Sequence, residues 1–275
     1  MATSEASSGG QREGGPAAAE DAGDAASWGT PEGRHMIALL WSPPAPAGRG
    51  PRQRLSLDQV VEAAMALAGR DGIEGLSMRK VAAALGVGAM SLYTYVPGRD
   101  ELFELMIDRA WADRGRADPT LPWRAQVEQI ADQAWQMYQQ HGWLVSSNPA
   151  RLPLGPHVLD AQEDLYRAIA LTGLPEPDVV RIAGAVEGHV FGAARAVVVD
   201  ARQAAATGVS SDGYWESRAS FWGTYYSAER FPTMTRIWEA GGFDLEPDPG
   251  ADMRFGLAML LDGVELAVRR RAAAT

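Results

Sequence analysis

The chain contains no cysteine and a single lysine, Lys80. Without cysteine it can form no disulfide, no thiolate zinc site and no thiol nucleophile. Acidic side chains outnumber basic ones by 35 to 25, so the net charge is −10. A surface of that sign repels phosphate, which excludes a protein that coats nucleic acid along its whole surface. A small basic domain on an acidic body remains compatible with this charge.

Long apolar runs are also missing. The run Met36–Trp41 is far too short to span a bilayer. The N-terminus has no basic segment followed by an apolar stretch, so we expect no signal peptide. These absences predict a cytoplasmic protein without a membrane partner.

The first part of the chain has few large apolar side chains. Residues 1 to about 33 are mainly Ala, Gly, Ser, Glu and Asp, a composition that predicts disorder. Met36–Trp41 is interpreted as a stub packing on the body, with a separate motif as the alternative. We therefore predict a disordered N-terminal extension over residues 1–48. A basic arm, Arg49–Arg54, follows, and its arginines are solvated linker charges or, alternatively, enter a minor groove.

From Ser56 onward, apolar residues recur at helical spacing, with neither strand alternation nor a repeat of 20–50 residues. This pattern predicts an all-α protein with a small helical head at residues 49–101 and a larger helical bundle at residues 102–275, which the motifs described below interpret as a DNA-binding domain and as a ligand-binding and dimerisation domain. The body helices are predicted at Trp123–His141, Val158–Thr172, Pro177–Arg202, Tyr214–Glu229, Thr233–Ala240 and Ala251–Arg271.

The head carries the pattern of a helix-turn-helix. Ser56 and Gln59 form a capping box for a first helix that ends at Gly72. Ser77 caps a second helix running to Leu85, and Gly86 supplies the positive φ of a tight turn. A short third helix, Ala89–Val96, is of the kind that enters a major groove, and a fourth begins at Arg99 or Asp100.

Charge supports this interpretation. Residues 49–99 carry seven basic and four acidic side chains, so the head is positive on a negative chain. An ordinary helical hairpin with a glycine turn is the alternative.

The run from Leu92 to Leu102, LYTYVPGRDEL, together with GLSMRKVA from Gly75, resembles the DNA-binding domain of the tetracycline-repressor (TetR) family. The second half resembles the tetracycline-repressor branch through Pro122-Trp123 and the run FGLAMLLDGVE from Phe255. The resemblance implies base contacts from Arg79, Ala89, Met90, Ser91 and Tyr93, and phosphate contacts from Ser77, Tyr95 and Arg99. By chemistry, Arg79 is the side chain suited to guanine O6 and N7. Met90 packing inward and Tyr95 lying half in the core remain open alternatives.

The apolar helix predicted at Pro177–Arg202 carries a glycine every four residues, at Gly184, Gly188 and Gly192. Interior glycines disfavour a helix by about 1 kcal/mol each, so close packing of another backbone is expected. In the resembled family, this helix and the last one form a four-helix dimer interface. We therefore predict a homodimer through these glycines and through Leu257, Leu260, Leu261 and Val264, with burial inside one chain as the alternative.

Aromatic side chains crowd the body. We predict a pocket for a small apolar or aromatic effector near Trp135, Tyr138, Tyr166, His189 and Trp222, with ordinary core packing as the favoured alternative for any single one of them. No equivalent of the histidine that holds the magnesium–tetracycline complex is found, so neither a metal nor a cofactor is predicted, nor tetracycline itself.

Together these features predict a ligand-responsive homodimer that binds double-stranded DNA and represses transcription, with activation as an alternative. An enzyme is disfavoured, because no paired-histidine metal motif, nucleophile elbow or phosphate loop occurs. A scaffolding dimer that no longer binds DNA is a third class.

Overall fold

The computed structural model describes residues 29–42, 55–244 and 248–274. These residues contain α-helices and short 3₁₀ turns and no strand, as predicted for an all-α protein. The helices are α1 Pro31–Trp41, α2 Leu57–Asp71, α3 Met78–Ala84, α4 Ala89–Leu92, α5 Arg99–Ala112, α6 Trp123–Gln140, α7 Pro156–Ala170, α8 Glu176–Thr207, α9 Ser211–Glu216, α10 Ser220–Thr224, α11 Pro232–Glu239 and α12 Ala251–Ala274.

Helix α1 corrects the prediction of disorder over residues 1–48, which is wrong for residues 31–41. Thr30 caps the helix by accepting a hydrogen bond from the Gly33 amide at 3.1 Å. Its apolar stripe is buried against α5, and the Trp41 indole donates to the Leu154 carbonyl at 2.8 Å. A helix of this length is not stable alone in water, and burial of its apolar side chains against the body stabilises it. Residues 1–28 and 43–48, and the whole basic arm Arg49–Arg54, lie outside the described residues.

The head is built from α2, α3 and α4 with the signals read from the sequence. Both hydrogen bonds of the Ser56–Gln59 capping box form. Gly72 and Gly86 have positive φ, and Ser77 caps α3. The predicted third helix ends early, because the carbonyl of Leu92 accepts from the amides of both Tyr95 and Val96. Residues 93–95 are therefore a turn, so the predicted Ala89–Val96 helix is shortened to Ala89–Leu92.

Helix α5 joins the head to the body. Its packing partners are α2 in the head, α1 on the flank and α7 in the body. Asp108, buried on α5, accepts hydrogen bonds from the amides of His157 and Val158 at 3.0 and 3.1 Å. It thereby satisfies two of the free amides in the first turn of α7. A residue of the connecting helix thus caps a helix of the body.

The body packs α6, α7 and α12 around the long helix α8. Helix α8 runs past its predicted end at Arg202 to Thr207, where left-handed Gly208 closes it. Its 32 residues, with a mean hydropathy of 1.4 over the most apolar window, are long and apolar enough to cross a membrane. Contacts with three neighbouring helices account for part of that composition, since 28 % of this window is buried in the single chain.

The predicted helix Tyr214–Glu229 is wrong. In its place are two short helices, α9 and α10, because Ser217 and Arg218 both donate side-chain hydrogen bonds to the Tyr214 carbonyl and interrupt the ladder. No residue of α9, α10 or α11 is buried. This stretch has little packing against its own body.

Candidate DNA-binding surface and ligand cavity

The first turn of α3 presents one unpartnered cation. Ser77 Oγ accepts from the Lys80 amide at 3.3 Å, and Lys80 Nζ donates to the Gly75 carbonyl at 2.8 Å. Arg79 between them is exposed and makes no hydrogen bond or ion pair within the described chain. Its guanidinium is available for a ligand outside the molecule.

Helix α4 and the turn after it expose the other predicted base-contacting residues. Leu92 is fully buried, whereas the Met90 side chain is 78 % exposed. Ser91 and Tyr93 are also exposed, and Ala89 is half-buried. The alternative in which Met90 packs inward is therefore not what the fold adopts.

Tyr95 and Arg99, expected at phosphates, are partly engaged inside the protein. Tyr95 is half-buried against the core. Arg99 donates from Nε to the Leu76 carbonyl at 3.2 Å and from Nη2 to the Ile73 carbonyl at 2.8 Å. These bonds tie the start of α5 to the turn before α3. This structural role has no signal in the sequence, because the partners are backbone carbonyls more than 20 residues away.

A cavity of about 300 Å³ lies between α5, α6, α7, α8 and the turn Pro149–Arg151. Its walls are mostly apolar, with three aromatic residues, Trp111, Tyr138 and Phe191. Tyr138 and Phe191 meet edge to face with ring centroids 5.6 Å apart. A mostly apolar cavity of this kind, lined on one side by the exposed Gly184 and Gly188, is typical of small-molecule sites.

Of the five residues predicted to bind a ligand, Tyr138 lines this cavity and the other four do not. Trp135 and Tyr166 are half-buried elsewhere against the core. His189 makes a hydrogen bond of 2.8 Å between Nε2 and the Met253 carbonyl, so it joins α8 to α12. Trp222 packs in an aromatic cluster with Tyr226 and Trp238. Helical periodicity alone does not show which apolar face of a helix lines the cavity and which packs elsewhere.

Glu187 is the charged residue that the sequence prediction missed. It is half-buried on α8 and lines the cavity. Burial raises the pKa of its carboxyl above the usual value. Burial, and then the nearby charge of Glu187, likewise raise the pKa of Tyr138. The available signal was a carboxylate in the middle of an apolar helix, since the other carboxylates of α8, Glu176, Asp178 and Asp200, lie nearer its ends.

The predicted dimer residues divide into two groups. Gly184, Gly188 and Gly192 are exposed, and a Cβ built at any of them meets nothing within 4 Å. In contrast, Leu257, Leu261 and Val264 are buried within the chain. These three residues are on the side of α12 that faces α8, which is the arrangement expected from the alternative of burial inside one chain. Leu260 is half-buried.

The opposite faces of these two helices remain uncovered. Their exposed apolar side chains are Val180, Val199, Phe255, Met259 and Leu266. One close contact brings the helices together, since a Cβ at Gly256 would collide with the His189 imidazole. The sequence predicted close packing at the glycines of α8. In the structure, the glycine that permits the close approach of α8 and α12 is Gly256 on α12.

Within the described ranges, no group of three or more metal-ligating side chains is close enough to hold a metal ion.

A family model described as "Bacterial regulatory proteins, tetR family" matches residues 60–106, and one described as "Tetracyclin repressor-like, C-terminal domain" matches residues 117–268. The chain is 36 % identical over 257 residues to the HTH-type transcriptional repressor DrrR1 of Streptomyces coeruleorubidus, covering 91 % of this chain and 92 % of that protein. It is also 26 % identical over 151 residues to the class E tetracycline repressor protein of Escherichia coli, covering 51 % and 67 %.

Among solved structures, apo ActR from Streptomyces coelicolor aligns with a TM-score of 0.66 at 22 % identity, covering 82 % of this chain and 100 % of ActR. ActR in complex with actinorhodin aligns with a TM-score of 0.67 at 23 % identity, covering 78 % and 98 %. At these identities the likeness establishes a shared fold.

Proposed function

The chain belongs to the TetR family of bacterial DNA-binding regulatory proteins, and from this we propose that it is a homodimeric repressor released from a palindromic operator by a small apolar or aromatic effector. Its relatives are named as regulators of transcription, not as enzymes. DrrR1 and the class E protein are both named repressors, which supports repression over activation.

DNA binding is supported by the exposed set on α3 and α4. Among the described residues Arg79 has no partner, and Met90, Ser91 and Tyr93 point away from the core. A forked donor beside small and apolar side chains matches the chemistry of base edges in the major groove. We assign Arg79, Ala89, Met90, Ser91 and Tyr93 to bases, and Ser77 with the remaining donors of Tyr95 and Arg99 to phosphates.

Homodimer formation is supported by the apolar surface that one chain leaves uncovered. The outer faces of α8 and α12 expose five large apolar residues beside the three bare glycines. An uncovered apolar patch of this kind is typical of a partner surface. A two-fold dimer would then set two recognition helices about 34–36 Å apart, for half-sites one turn of DNA apart.

Effector control is supported by the path of α5. This helix carries Trp111 into the cavity and caps α7 through Asp108, and Arg99 ties its first turn to the turn before α3. If the cavity binds the effector more tightly in one orientation of α5 than in another, effector binding favours that orientation. The DNA-binding heads of the dimer then move relative to each other. An effector with equal affinity for both orientations would have no effect. In this account the protein acts in the cytoplasm and has no membrane partner.

The test is fluorescence anisotropy with labelled DNA from upstream of the gene, across a salt series. We expect binding to a palindromic segment that weakens steeply with salt. Random-site selection that yields no preferred sequence would favour a scaffolding dimer. A monomer that ignores all DNA at low ionic strength would overturn the proposal entirely.

A further inference from the structure

Glu187 sits in the cavity wall without an internal counter-charge. Among the described residues that line the cavity it is the only charged one. It makes no hydrogen bond and no ion pair with any part of the chain that the structure describes. By contrast, the buried carboxylate of Asp164 is paired with Arg114 at 3.0 Å and with Arg116 at 3.0 Å.

A carboxylate in such a place is unfavourable in the empty protein. Transfer from water into apolar surroundings penalises the charged form unless a cation or hydrogen-bond donors replace the lost hydration. The raised pKa of Glu187 reflects this penalty. Within the cavity the chain provides only the Tyr138 hydroxyl as a second titratable group. A ligand with a positive charge would supply the missing partner.

The surrounding rings favour the same ligand. Trp111, Tyr138 and Phe191 give the cavity aromatic faces and edges. Flat apolar rings pack well against such walls, and a cation gains further from the negative face of an aromatic ring. A neutral ring system gains only the packing, and an anionic one meets Glu187 as a like charge.

We propose, building on the effector-controlled function above, that the cavity selects polycyclic aromatic molecules carrying a protonated amine, with Glu187 as the counter-ion of that amine. Glu187 is then the specificity-determining residue of the effector site. Neutral aromatic molecules of the same outline bind more weakly, and anionic ones more weakly still.

The proposal has a proton linkage with a defined sign. In the empty cavity Glu187 holds its proton to a higher pH than usual, whereas an adjacent ammonium favours the carboxylate. Affinity for the amine therefore rises as pH increases through the raised pKa of Glu187, and falls again once the amine loses its own proton. Tyr138 on α6 stays neutral throughout because its pKa is raised. No further titratable group comes from the residues that line the cavity from α5, α7 and the turn, namely Trp111, Ala161, Leu165, Pro149 and Ala150.

The test uses three probes with one ring system: 1-pyrenemethylamine, 1-pyrenemethanol and 1-pyreneacetate, titrated calorimetrically into the full-length protein. We expect the amine to bind about tenfold more tightly than the alcohol, and the acetate to bind most weakly. In Glu187→Gln the advantage of the amine over the alcohol should disappear, and Glu187→Asp should retain part of it.

The matched control is Glu163→Gln, which removes one exposed carboxylate from the neighbouring helix α7. It should leave all three affinities unchanged. An equal loss in both Gln variants would mean that the amine responds only to the net charge of the protein, and the proposal would be wrong. The proposal would also be overturned if the wild type bound the amine and the alcohol equally, or if it bound none of the three probes. It would likewise be overturned if EDTA abolished the preference for the amine, because a metal ion would then be responsible for that preference.

Failure of this proposal is distinguishable from failure of the proposed function. Operator binding by the ligand-free protein is measured by anisotropy and does not involve Glu187. If wild type and Glu187→Gln bind DNA equally while the amine shows no preference, only the ligand class is wrong. If neither binds DNA, the proposed function fails whatever the probes do.

Discussion

Two neighbouring cationic side chains on α3 differ in their hydrogen-bond partners. Lys80 is held by the Gly75 carbonyl, whereas Arg79 has no partner in the described chain. A side chain that is exposed and uncommitted can reach a base edge without breaking an existing interaction. In the proposed function, this difference favours Arg79 over Lys80 for base recognition and leaves Lys80 a contribution to the overall positive charge of the head.

Arg79→Ala should therefore relax the preference for one base pair in each half-site by about 1–3 kcal/mol. Lys80→Ala is the matched control, because it removes the same charge from the next position and should weaken all sequences alike. Competition anisotropy with singly substituted operators measures both. If Arg79→Ala also weakens every sequence equally, Arg79 contacts phosphate only.

Asp164 is the centre of a buried ionic group. Its side chain and that of Arg114 are each 1 % exposed, and the two lie 3.0 Å apart. Arg116 and Arg167 approach the same carboxylate from the surface. Removing the carboxylate leaves the buried guanidinium without its counter-charge.

Asp164→Asn should lower the free energy of unfolding by about 3–5 kcal/mol, the range for breaking one partner of a buried pair. Asp160→Asn, which removes an exposed partner of Arg116, should cost less than about 1 kcal/mol. Urea denaturation followed by circular dichroism measures both variants. Similar losses in the two would show that burial does not matter at this site.

At the scale of elements, the contact between α8 and α12 depends on one close approach. Gly256 faces the His189 imidazole, whose Nε2 is bonded to the Met253 carbonyl. A methyl group at position 256 would displace the ring and break that bond. Gly263, further along α12, has open space around its Cβ position.

Gly256→Ala should destabilise the protein, although alanine is the better helix former. Gly263→Ala should instead stabilise α12 by up to about 1 kcal/mol through helix propensity. Thermal melting of the two variants measures both midpoints. The difference between them separates the steric cost of the methyl group at position 256 from the gain in helix propensity. Stabilisation by Gly256→Ala would show that His189 moves aside without loss.

At the scale of the whole molecule, apolar surface is unevenly distributed. The head exposes Met90 and Tyr93, where we expect DNA, and the body exposes Phe255 and Met259 on the outer face of α12. Phe255 is 69 % exposed in the single chain. The two surfaces can be tested independently.

Phe255→Glu should yield monomers in light scattering, because a carboxylate in an apolar interface loses its hydration without a partner. Met90→Glu, a matched change on the head, should leave the dimer intact and abolish operator binding. An unchanged dimer in Phe255→Glu would remove the outer face of α12 from the interface.

Local signals were enough to predict the head. The Ser56–Gln59 capping box, the Ser77 cap and the positive φ of Gly86 depend on residues a few positions apart, and all three formed as predicted. The family resemblance rested on the same continuous stretch, and the family comparison agrees with it. For these features the physics is local, so the sequence determines them.

Only the tertiary structure decided which faces of the helices meet. Helical spacing marked the last helix as apolar, but packing against α8 buried Leu257 and Leu261 and left Phe255 outside. The same packing brought Glu187 to the cavity and took His189 away from it. Burial is set by contacts between distant segments, and neither periodicity nor composition specifies which of two apolar faces finds a partner. The sequence by itself determined that this is a helical DNA-binding regulator, and the fold alone decided where a ligand can enter and what it would meet there.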